Sequence, residues 1–265
     1  MANIVITGST KGIGFGLAKA FLDNGHKVVI SGRSEESVWT ALNRLQIPAR
    51  KCRGFACDTS DPAQVQALWE FAEEAFTRVD IWINNAGLAR TSWQILETPQ
   101  SEIDAMVQTN LFGTINGCRV AAAGMKKQRS GKIFNMLGGG SDGEYFPGMG
   151  IYGSTKRALD YFTDALSSEL KDTGILVGKI RPGMVITEAV IREAAQDPEK
   201  FARSRKFMNN LVDQVDTVSA YLAEEILACN RSGKKIRWLT SGKIAARLVK
   251  GLVRKREDQF AQHGL

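Results

Sequence analysis

The segment TGSTKGIG, residues 7–14, decides the fold of this chain. It follows a short apolar run, Ile4 to Ile6, and opens a helical pattern in which Ile13, Leu17 and Phe21 share one face. Glycine permits a tight turn and lets the backbone approach a phosphate closely, and the N-terminus of a helix favours negative charge. The position between a strand and an amphipathic helix therefore predicts a loop that holds the pyrophosphate of a dinucleotide.

Segments with strand and helix patterns alternate along the remainder of the chain. The further strands are predicted at residues 27–31, 53–56, 80–83, 132–136, 175–180 and 235–239. This alternation is typical of an α/β fold in which helices cover both faces of a parallel sheet. We predict a single doubly wound, Rossmann-type domain over residues 1–240, with a substrate flap at 187–213 and a basic amphipathic tail at 241–265.

The composition is that of an ordinary soluble globular protein, with 43% hydrophobic and 24% charged residues. No apolar run approaches the roughly 20 residues that span a bilayer, and no charged targeting region precedes the first strand. The chain has two histidines and no cysteine pair with CxxC spacing, so no metal or redox site is expected. We predict a cytoplasmic protein with buried, reduced thiols at Cys52, Cys57, Cys118 and Cys229.

The end of the second predicted strand discriminates between nicotinamide cofactors. NAD sites place an acidic residue there to bind the ribose 2′-hydroxyl, whereas this chain has no carboxylate until Glu35. Arg33 can pair with a 2′-phosphate, and Lys11 in the glycine loop adds a second positive charge. The alternative is that both are solvated surface charges. The pattern favours NADP(H).

Tyr152 and Lys156 stand four residues apart in the segment YGSTK. Residues at this spacing share one face of a helix, so both side chains are expected to face the cofactor cleft. The unperturbed pKa of tyrosine is about 10. A nearby ammonium and the positive nicotinamide of the cofactor favour the phenolate, which predicts a lowered pKa for Tyr152. The pair is suited to exchange a proton beside the cofactor.

A set of motifs in fixed order places these features in a family. The chain carries, in sequence, TGSTKGIG, CDTSD, NNAG at 84–87, Asn110, YGSTK and RPG at 181–183. Together they resemble the short-chain dehydrogenase/reductase family over roughly residues 3–240. The resemblance implies an NADP(H)-dependent oxidoreductase that reduces a carbonyl by hydride transfer, and a homo-oligomer, either a dimer or a tetramer.

The resemblance also implies roles for individual residues. Asp58 would bond the adenine, Asn110 would hold a water in a proton relay, and Thr187 would lie near the nicotinamide carboxamide. For Asn84 and Asn110 the alternative is an internal role in a turn and a helix. The predicted cofactor set is Gly8, Ser9, Lys11, Gly12, Ile13, Gly14, Arg33, Ser34, Asp58, Asn84, Ala86, Gly87, Tyr152, Lys156, Pro182, Gly183 and Thr187.

One position departs from the family pattern. The family places a serine at the end of strand five to orient the carbonyl, but residues 137–140 read LGGG and Ser141 follows. Because glycine tolerates unusual dihedral angles, a bulge can bring Ser141 into that role. Otherwise Ser154 or backbone N–H groups would polarise the carbonyl. The predicted catalytic set is Tyr152, Lys156, Ser141 and Asn110.

The catalytic half is similar to one branch of the family, the chlorophyll b reductases. The segments FNMLGGGSDG, YGSTKRAL and PGMVITE carry this likeness. Enzymes of that branch reduce a formyl group on a tetrapyrrole to a hydroxymethyl group. Two alternatives stay open: a 3-oxoacyl or sugar-type reductase with the same machinery, and an NADP-binding sensor or scaffold without catalysis.

The flap mixes apolar and basic residues. It is suited to a bulky apolar substrate that carries an acid group, or it is an ordinary amphipathic lid. The apolar residues are Ile191, Phe201, Phe207, Met208 and Leu211, and the basic ones are Arg192, Lys200, Arg203, Arg205 and Lys206.

The tail concentrates the positive charge of the chain. Residues 242–255, GKIAARLVKGLVRK, repeat apolar side chains at Ile244, Leu248 and Leu252. A basic amphipathic helix is typical of peripheral membrane contact. The alternative is a helix that packs on its own or a neighbouring subunit. No nucleic-acid reading motif accompanies the charge, so the expected ligands are small molecules, a carbonyl or alcohol substrate and the cofactor.

Overall fold

A computed structural model describes residues 1–254 and 256–264, without the side chains of Gln196, Lys200 and Leu252. The predicted roles of Lys200 in the flap and of Leu252 and Lys255 in the tail therefore lie outside the described part of the protein.

The first half of the chain alternates strands and helices. The elements are β1 (Asn3–Ile6), α1 (Gly12–Asp23), β2 (Lys27–Gly32), α2 (Glu35–Leu45), β3 (Cys52–Ala56), α3 (Pro62–Phe76) and β4 (Ile81–Asn84). Local chemistry sets several of these ends. Gly25, at φ +79°, follows α1 where a left-handed residue closes the helix, and Asp61 accepts hydrogen bonds from the backbone N–H groups of Ala63 and Gln64 at the start of α3.

The second half contains the catalytic helix, the flap and the tail. A short 3-10 turn, Ile95–Glu97, precedes α4 (Gln100–Met106), a π-helical turn (Val107–Phe112) and α5 (Gly113–Gln128). Next come β5 (Gly131–Met136), α6 (Gly150–Glu169), β6 (Ile175–Arg181), β7 (Val185–Ile186), α7 (Glu188–Gln196), α8 (Pro198–Leu211) and β8 (Asp213–Gln214). The chain continues with α9 (Val215–Ala228), β9 (Lys235–Arg237), α10 (Ser241–Val253) and a 3-10 turn, Ala261–His263.

The main sheet is parallel, with strand order β3-β2-β1-β4-β5-β6-β9. The strand order reverses between β1 and β4, and in open α/β sheets a ligand binds at the carboxyl ends of the strands at this switch point. The predicted doubly wound Rossmann-type fold is confirmed.

Helices cover both faces of the sheet, and each face has its own core. Ile4, Ile6 and Ile30 point into the core formed with α1 and α9, whereas Val5 and Val29 point into the core formed with α3 and α5. This alternation follows from the period of two in a strand. The four cysteines are free and buried, as predicted.

The flap and the tail form a smaller apolar cluster outside the sheet. Ile186, Val212 and Phe260 are its buried members. Asp213 joins the two segments, because its carboxylate pairs with Arg247 at 2.8 Å and with Arg256 at 2.6 Å. The tail therefore packs against the flap through Arg247, Arg256 and Phe260. Among the described residues, no helix is long and apolar enough to cross a membrane.

Candidate active site

Helix α6 brings Tyr152 and Lys156 to the carboxyl end of β5. The Lys156 ammonium donates a hydrogen bond from Nζ to the Met136 carbonyl at 2.9 Å and lies 5.7 Å from the centroid of the Tyr152 ring. Only 4% of Lys156 is exposed, and burial lowers the pKa of its ammonium to about 8. The predicted pair is thus assembled on one face of the helix.

The Tyr152 phenol is held in its protonated form. Burial raises the pKa of Tyr152 to about 12, and the negative charge of Glu193 in the flap adds to the increase. The sequence predicted a lowered pKa for Tyr152, whereas in this structure burial of the phenol raises it. A phenol that stays neutral at physiological pH is suited to donate a proton.

Asn110 lies in the π-helical turn between α4 and α5, a type of distortion that occurs frequently at functional sites. Its amide donates to the Leu88 carbonyl at 2.9 Å and to the Thr155 hydroxyl at 3.0 Å, and its Oδ1 accepts from the Leu88 N–H at 2.7 Å. A Cβ added to Gly87 would lie 3.2 Å from Asn110 Oδ1 and 3.6 Å from Lys156 Nζ. Asn110 and Lys156 therefore lie beside each other at the segment that follows β4.

The glycine turn after β5 fits closely around Tyr152. A Cβ on Gly138 would lie 2.1 Å from the phenol oxygen of Tyr152, so no side chain fits at that position while Tyr152 keeps its place. Gly140, at φ +89°, then turns the chain against the backbone of Gly153. Ser141 follows in a fully buried position, and its hydroxyl has no hydrogen-bond partner among the described residues.

Charged side chains hold the segment that carries Ser141. Arg157 on α6 donates to the Ser141 carbonyl at 3.0 Å. The next residue, Asp142, pairs with Lys235 at 2.7 Å and with Arg237 at 3.2 Å, both on β9, and also with Arg181 at the end of β6. The turn is therefore anchored to α6 and to two strands of the sheet.

The glycine loop after β1 packs against the exit of β4. Gly8 has φ +60°, and a Cβ there would lie 2.7 Å from Ala86 Cα. The Asn85 amide donates to the carbonyls of Thr7 and Gly8 at 2.9 and 2.8 Å, and the Thr7 hydroxyl accepts from the N–H groups of Asn85 and Ala86. Thr7 and Asn85 therefore shape the loop. The prediction missed both, although each lies inside a quoted motif.

Three predicted cofactor residues make hydrogen bonds within the protein. The Ser9 hydroxyl is fully buried and joins the Ile6 carbonyl to the Ser31 N–H. Asn84 is buried as well; it accepts from the Trp82 indole at 2.7 Å and donates to Asn135 at 2.9 Å. Ser34 caps α2 by accepting from the Ser37 N–H at 3.2 Å. The internal role left open for Asn84 in the sequence analysis is the one that the structure shows.

The side chains predicted to select the cofactor lie at the ends of β1, β2 and β3. Lys11 and Arg33 are exposed and have no ion pair with any described residue. The Asp58 carboxylate accepts from the N–H and hydroxyl of Ser60 through Oδ1. Thr10 packs against Gly32 at the end of β2, because a Cβ added to Gly32 would lie 2.5 Å from Thr10 Cγ2.

The flap starts directly above the glycine loop. A Cβ added to Gly12 would lie 3.6 Å from the methyl group of Thr187. The chain turns at Gly183, which has φ +77° and follows the buried Pro182, and then enters the flap. Further along the flap, Glu193 accepts a hydrogen bond from the Thr91 hydroxyl at 2.7 Å. Ile13 packs half-buried against the core beside α9. These contacts bring the predicted loop and flap residues together.

An apolar rim borders the start of α6. It consists of Ile95, Leu96, Tyr145 and Phe146, all exposed, with Leu96 99% exposed. Ile95 packs on the first residue of α6, since its Cγ1 would lie 2.4 Å from a Cβ on Gly150. Phe146 lies 3.7 Å from the corresponding position on Gly139 in the catalytic turn. The two loops therefore present apolar surface next to Tyr152.

The family model described as short chain dehydrogenase matches residues 2–198. The chain belongs to the short-chain dehydrogenase family. The predicted family and enzyme class, an oxidoreductase, are confirmed.

Individual members of the family resemble the whole chain. Chlorophyll(ide) b reductase NOL of Oryza sativa subsp. japonica is 38% identical over 257 residues, which cover 93% of this chain and 74% of the relative. The probable chlorophyll(ide) b reductase NYC1 of the same plant is 34% identical over 96% of this chain, which spans about half of that relative, 53%. The solved structure of ElxO with NADP bound superposes with a TM-score of 0.81 at 25% identity, over 92% of this chain and all of ElxO. Its cofactor agrees with the prediction of NADP(H).

The predicted cytoplasmic location is wrong. The relatives that match most of the chain, NOL and NYC1, are chloroplastic proteins. The prediction depended on the lack of a membrane-spanning or targeting pattern, and the physical properties of a soluble α/β domain are the same in either compartment.

Proposed function

We propose that this short-chain dehydrogenase reduces an aldehyde or ketone to an alcohol with NADPH, using Tyr152, Lys156, Ser141 and Asn110. The observation that carries the proposal is the meeting of a protonated phenol and a buried ammonium beside the glycine loop, at the switch point of the sheet. Retention of this pair in a tightly packed crevice favours catalysis over a role as a sensor or scaffold.

The residues around the crevice fit NADP(H). The glycine loop opens α1, whose N-terminus favours the pyrophosphate, and the unpaired Lys11 and Arg33 are suited to the 2′-phosphate. Asp58 would bond the adenine, and Thr187 would lie at the nicotinamide end, where the flap meets Gly12. Ala86 and Gly87 would line the floor below the cofactor. The bound cofactor supplies the hydride that reaches the carbonyl carbon.

The side chains of the protein supply the proton and position the substrate. Tyr152 donates its phenol proton to the carbonyl oxygen, and its raised pKa keeps that proton available. Lys156 stays charged at neutral pH, stabilises the phenolate that forms and returns a proton through the region of Asn110. The Ser141 hydroxyl, which has no other partner among the described residues, donates to the developing oxyanion.

The apolar rim favours a bulky, apolar substrate. Its side chains are exposed, and Ile95 and Phe146 pack against Gly150 at the start of α6 and Gly139 in the turn after β5. An apolar surface there is less suited to a sugar, which requires hydrogen-bonding partners. The names of NOL and NYC1 point the same way, because chlorophyll(ide) b is a large ring with an apolar surface. We therefore propose formyl-bearing tetrapyrroles as the first substrates to test, with the flap selecting among them.

A homo-oligomer is also proposed. Phe112 in the π-helical turn and Tyr161 on α6 are large exposed side chains on the helices by which the family commonly associates. Covering them with a second copy would remove apolar surface from water.

The test is NADPH oxidation by the purified protein with a panel of carbonyl compounds. We expect turnover with bulky apolar aldehydes, little turnover with aldose sugars, and a preference for NADPH over NADH. Arg33→Ala should raise the KM for NADPH about tenfold and leave the KM for NADH unchanged, because only NADPH carries the 2′-phosphate. NADPH binding without oxidation by any member of the panel would contradict the proposal.

A further inference from the structure

Helix α10 leaves an apolar stripe uncovered. The stripe consists of Ala245, Leu248, Val249 and Val253, which follow the spacing of one helical face. All four are exposed, and Val249 and Val253 are 64% and 89% accessible. Apolar residues usually occupy the inner face of a surface helix. Because these four side chains face outward, we expect that a lipid bilayer or another molecule covers them.

The opposite side of α10 is already occupied by its own chain. Arg247 pairs with Asp213 and donates to the Leu211 carbonyl at 3.2 Å. Gly251 packs so closely on α8 that a Cβ would lie 3.0 Å from Asn210 Oδ1. The orientation of α10 is therefore fixed by the flap, and the stripe is held outward.

Two cations flank the stripe. Lys250 and Arg254 each follow one of the exposed valines, are exposed, and form no ion pair with any described residue. With Arg247 and Arg256 they also line a cavity of about 390 Å³ between α8 and the end of α10, in which the acidic lining residue is Glu257. The side of the stripe nearer to α8 is thus strongly positive.

We propose that α10 lies on an anionic lipid bilayer, with the stripe in the interfacial region and Lys250 and Arg254 on the headgroups. An exposed apolar face beside unpaired cations fits this surface, since apolar area and attraction to anionic lipid add together. A second copy of the chain fits less well, because a symmetric pairing of two α10 helices would bring like charges together. This proposal is independent of the proposed reaction.

Docking in this way places the flap at the membrane. The contacts of Asp213 with Arg247 and Arg256 bind α10 and the following segment to β8, at the end of the flap. A protein bound through α10 therefore holds α8 directly behind the helix that contacts the lipid. Such an arrangement is suited to an enzyme whose substrate partitions into lipid.

The test is co-sedimentation of the full-length protein with vesicles of phosphatidylcholine alone or mixed with phosphatidylglycerol. We expect binding to the mixed vesicles, weak binding to the neutral ones, and a decrease as salt rises from about 0.1 M to about 1 M. The double variant Lys250→Glu/Arg254→Glu should lower the partition coefficient at least about tenfold. Val249→Asp/Val253→Asp should lower it as much, at any salt concentration.

Two matched variants separate this effect from changes in net charge or surface polarity. Lys126→Glu/Lys127→Glu makes the same charge change on exposed residues of α5, and Trp39→Asp removes an exposed apolar side chain from α2. Both should bind vesicles as well as the original protein does.

Equal binding by all variants would overturn the proposal. So would the absence of vesicle binding together with a change of oligomeric state in Val249→Asp/Val253→Asp, measured by sedimentation velocity. Turnover of a water-soluble aldehyde should be unchanged in all variants, which keeps this test separate from that of the reaction.

Discussion

The catalytic floor and the flap meet around the same crevice but are built in opposite ways. The floor consists of residues 84–88, Asn110 and residues 136–156. Asn110 and Lys156 at its centre are buried and are held by hydrogen bonds to the backbone and to Thr155. The flap, with α10 behind it, exposes apolar side chains such as Phe207 and Val253, and it reaches the floor side of the crevice through the bond between Glu193 and Thr91.

The difference separates two requirements of the proposed carbonyl reduction. Proton transfer needs a phenol fixed within a fraction of an ångström, which several simultaneous contacts provide. Admission of a large substrate needs a cover that can open, which a few contacts allow. Changes in the floor should therefore act on turnover, and changes in the flap should act on substrate affinity.

The largest effect is expected for Gly138→Ser, which places a serine where the family usually has one. The new Cβ would lie 2.1 Å from the Tyr152 oxygen, so the phenol must move. We expect kcat to fall about 1000-fold, the scale of losing a general acid, with NADPH binding retained. Gly242→Ser is the control, because an added Cβ there meets nothing within 4 Å. Normal turnover in Gly138→Ser would show that the floor is not rigid.

The next effect concerns the oxyanion donor. Ser141→Ala should lower kcat about 100-fold, because it removes the hydroxyl proposed to hold the oxyanion. Ser154→Ala should be nearly neutral, because the Ser154 hydroxyl already donates to the Gly150 carbonyl at 2.9 Å. The steady-state kcat values of the two variants show which of the two serines is the oxyanion donor. The reverse ranking would assign the role to Ser154.

A third expectation concerns the stability of the floor. The Lys156 pKa is about 8 in the folded protein and near 10.5 when exposed, so between these values the unfolded chain binds more protons and stability rises with pH. At neutral pH the free energy of unfolding of Lys156→Met should exceed that of the original protein by about 2 kcal/mol. This difference should shrink towards about pH 10. Urea titrations across this range, with the exposed Lys126→Met as control, test it. A difference that stays constant with pH would mean that folding does not lower the pKa of Lys156.

The smallest effect is expected from the flap. Thr91→Val removes the hydroxyl that donates to Glu193 and keeps the shape of the side chain. Loss of one hydrogen bond to a charged group should raise the KM for the carbonyl substrate about fivefold and leave kcat unchanged. Thr98→Val is the control, since the Thr98 hydroxyl bonds within its own loop, to the Gln94 carbonyl. A loss of kcat instead would place the flap in the chemistry.

The sequence predicted the parts of the fold that local chemistry determines. Strand β2 begins at Lys27 as predicted, Ser34 caps the start of α2, and Asp61 caps the start of α3. The pairing of Tyr152 and Lys156 followed from helical spacing alone. These features depend on neighbours within a few residues, which a sequence displays directly.

Features that depend on distant contacts were not predictable in the same way. The adjacent residues Asn84 and Asn85 divide their roles because one side chain of a strand points into the core and the next points to the glycine loop. The pKa of Tyr152 depends on burial under the flap, which the motif does not encode. In α10 the sequence pattern singled out Ile244 and Leu248, whereas Val249 and Val253 are more exposed because packing on α8 holds them outward.

The most direct test of the central claim is a comparison of the original protein with Tyr152→Phe in a single turnover with bound NADPH. The claim is that the Tyr152 phenol donates the proton that accompanies hydride transfer. We expect NADPH oxidation to become at least about 1000-fold slower, with the affinity for NADPH unchanged. An unaltered rate of oxidation in Tyr152→Phe would contradict the claim.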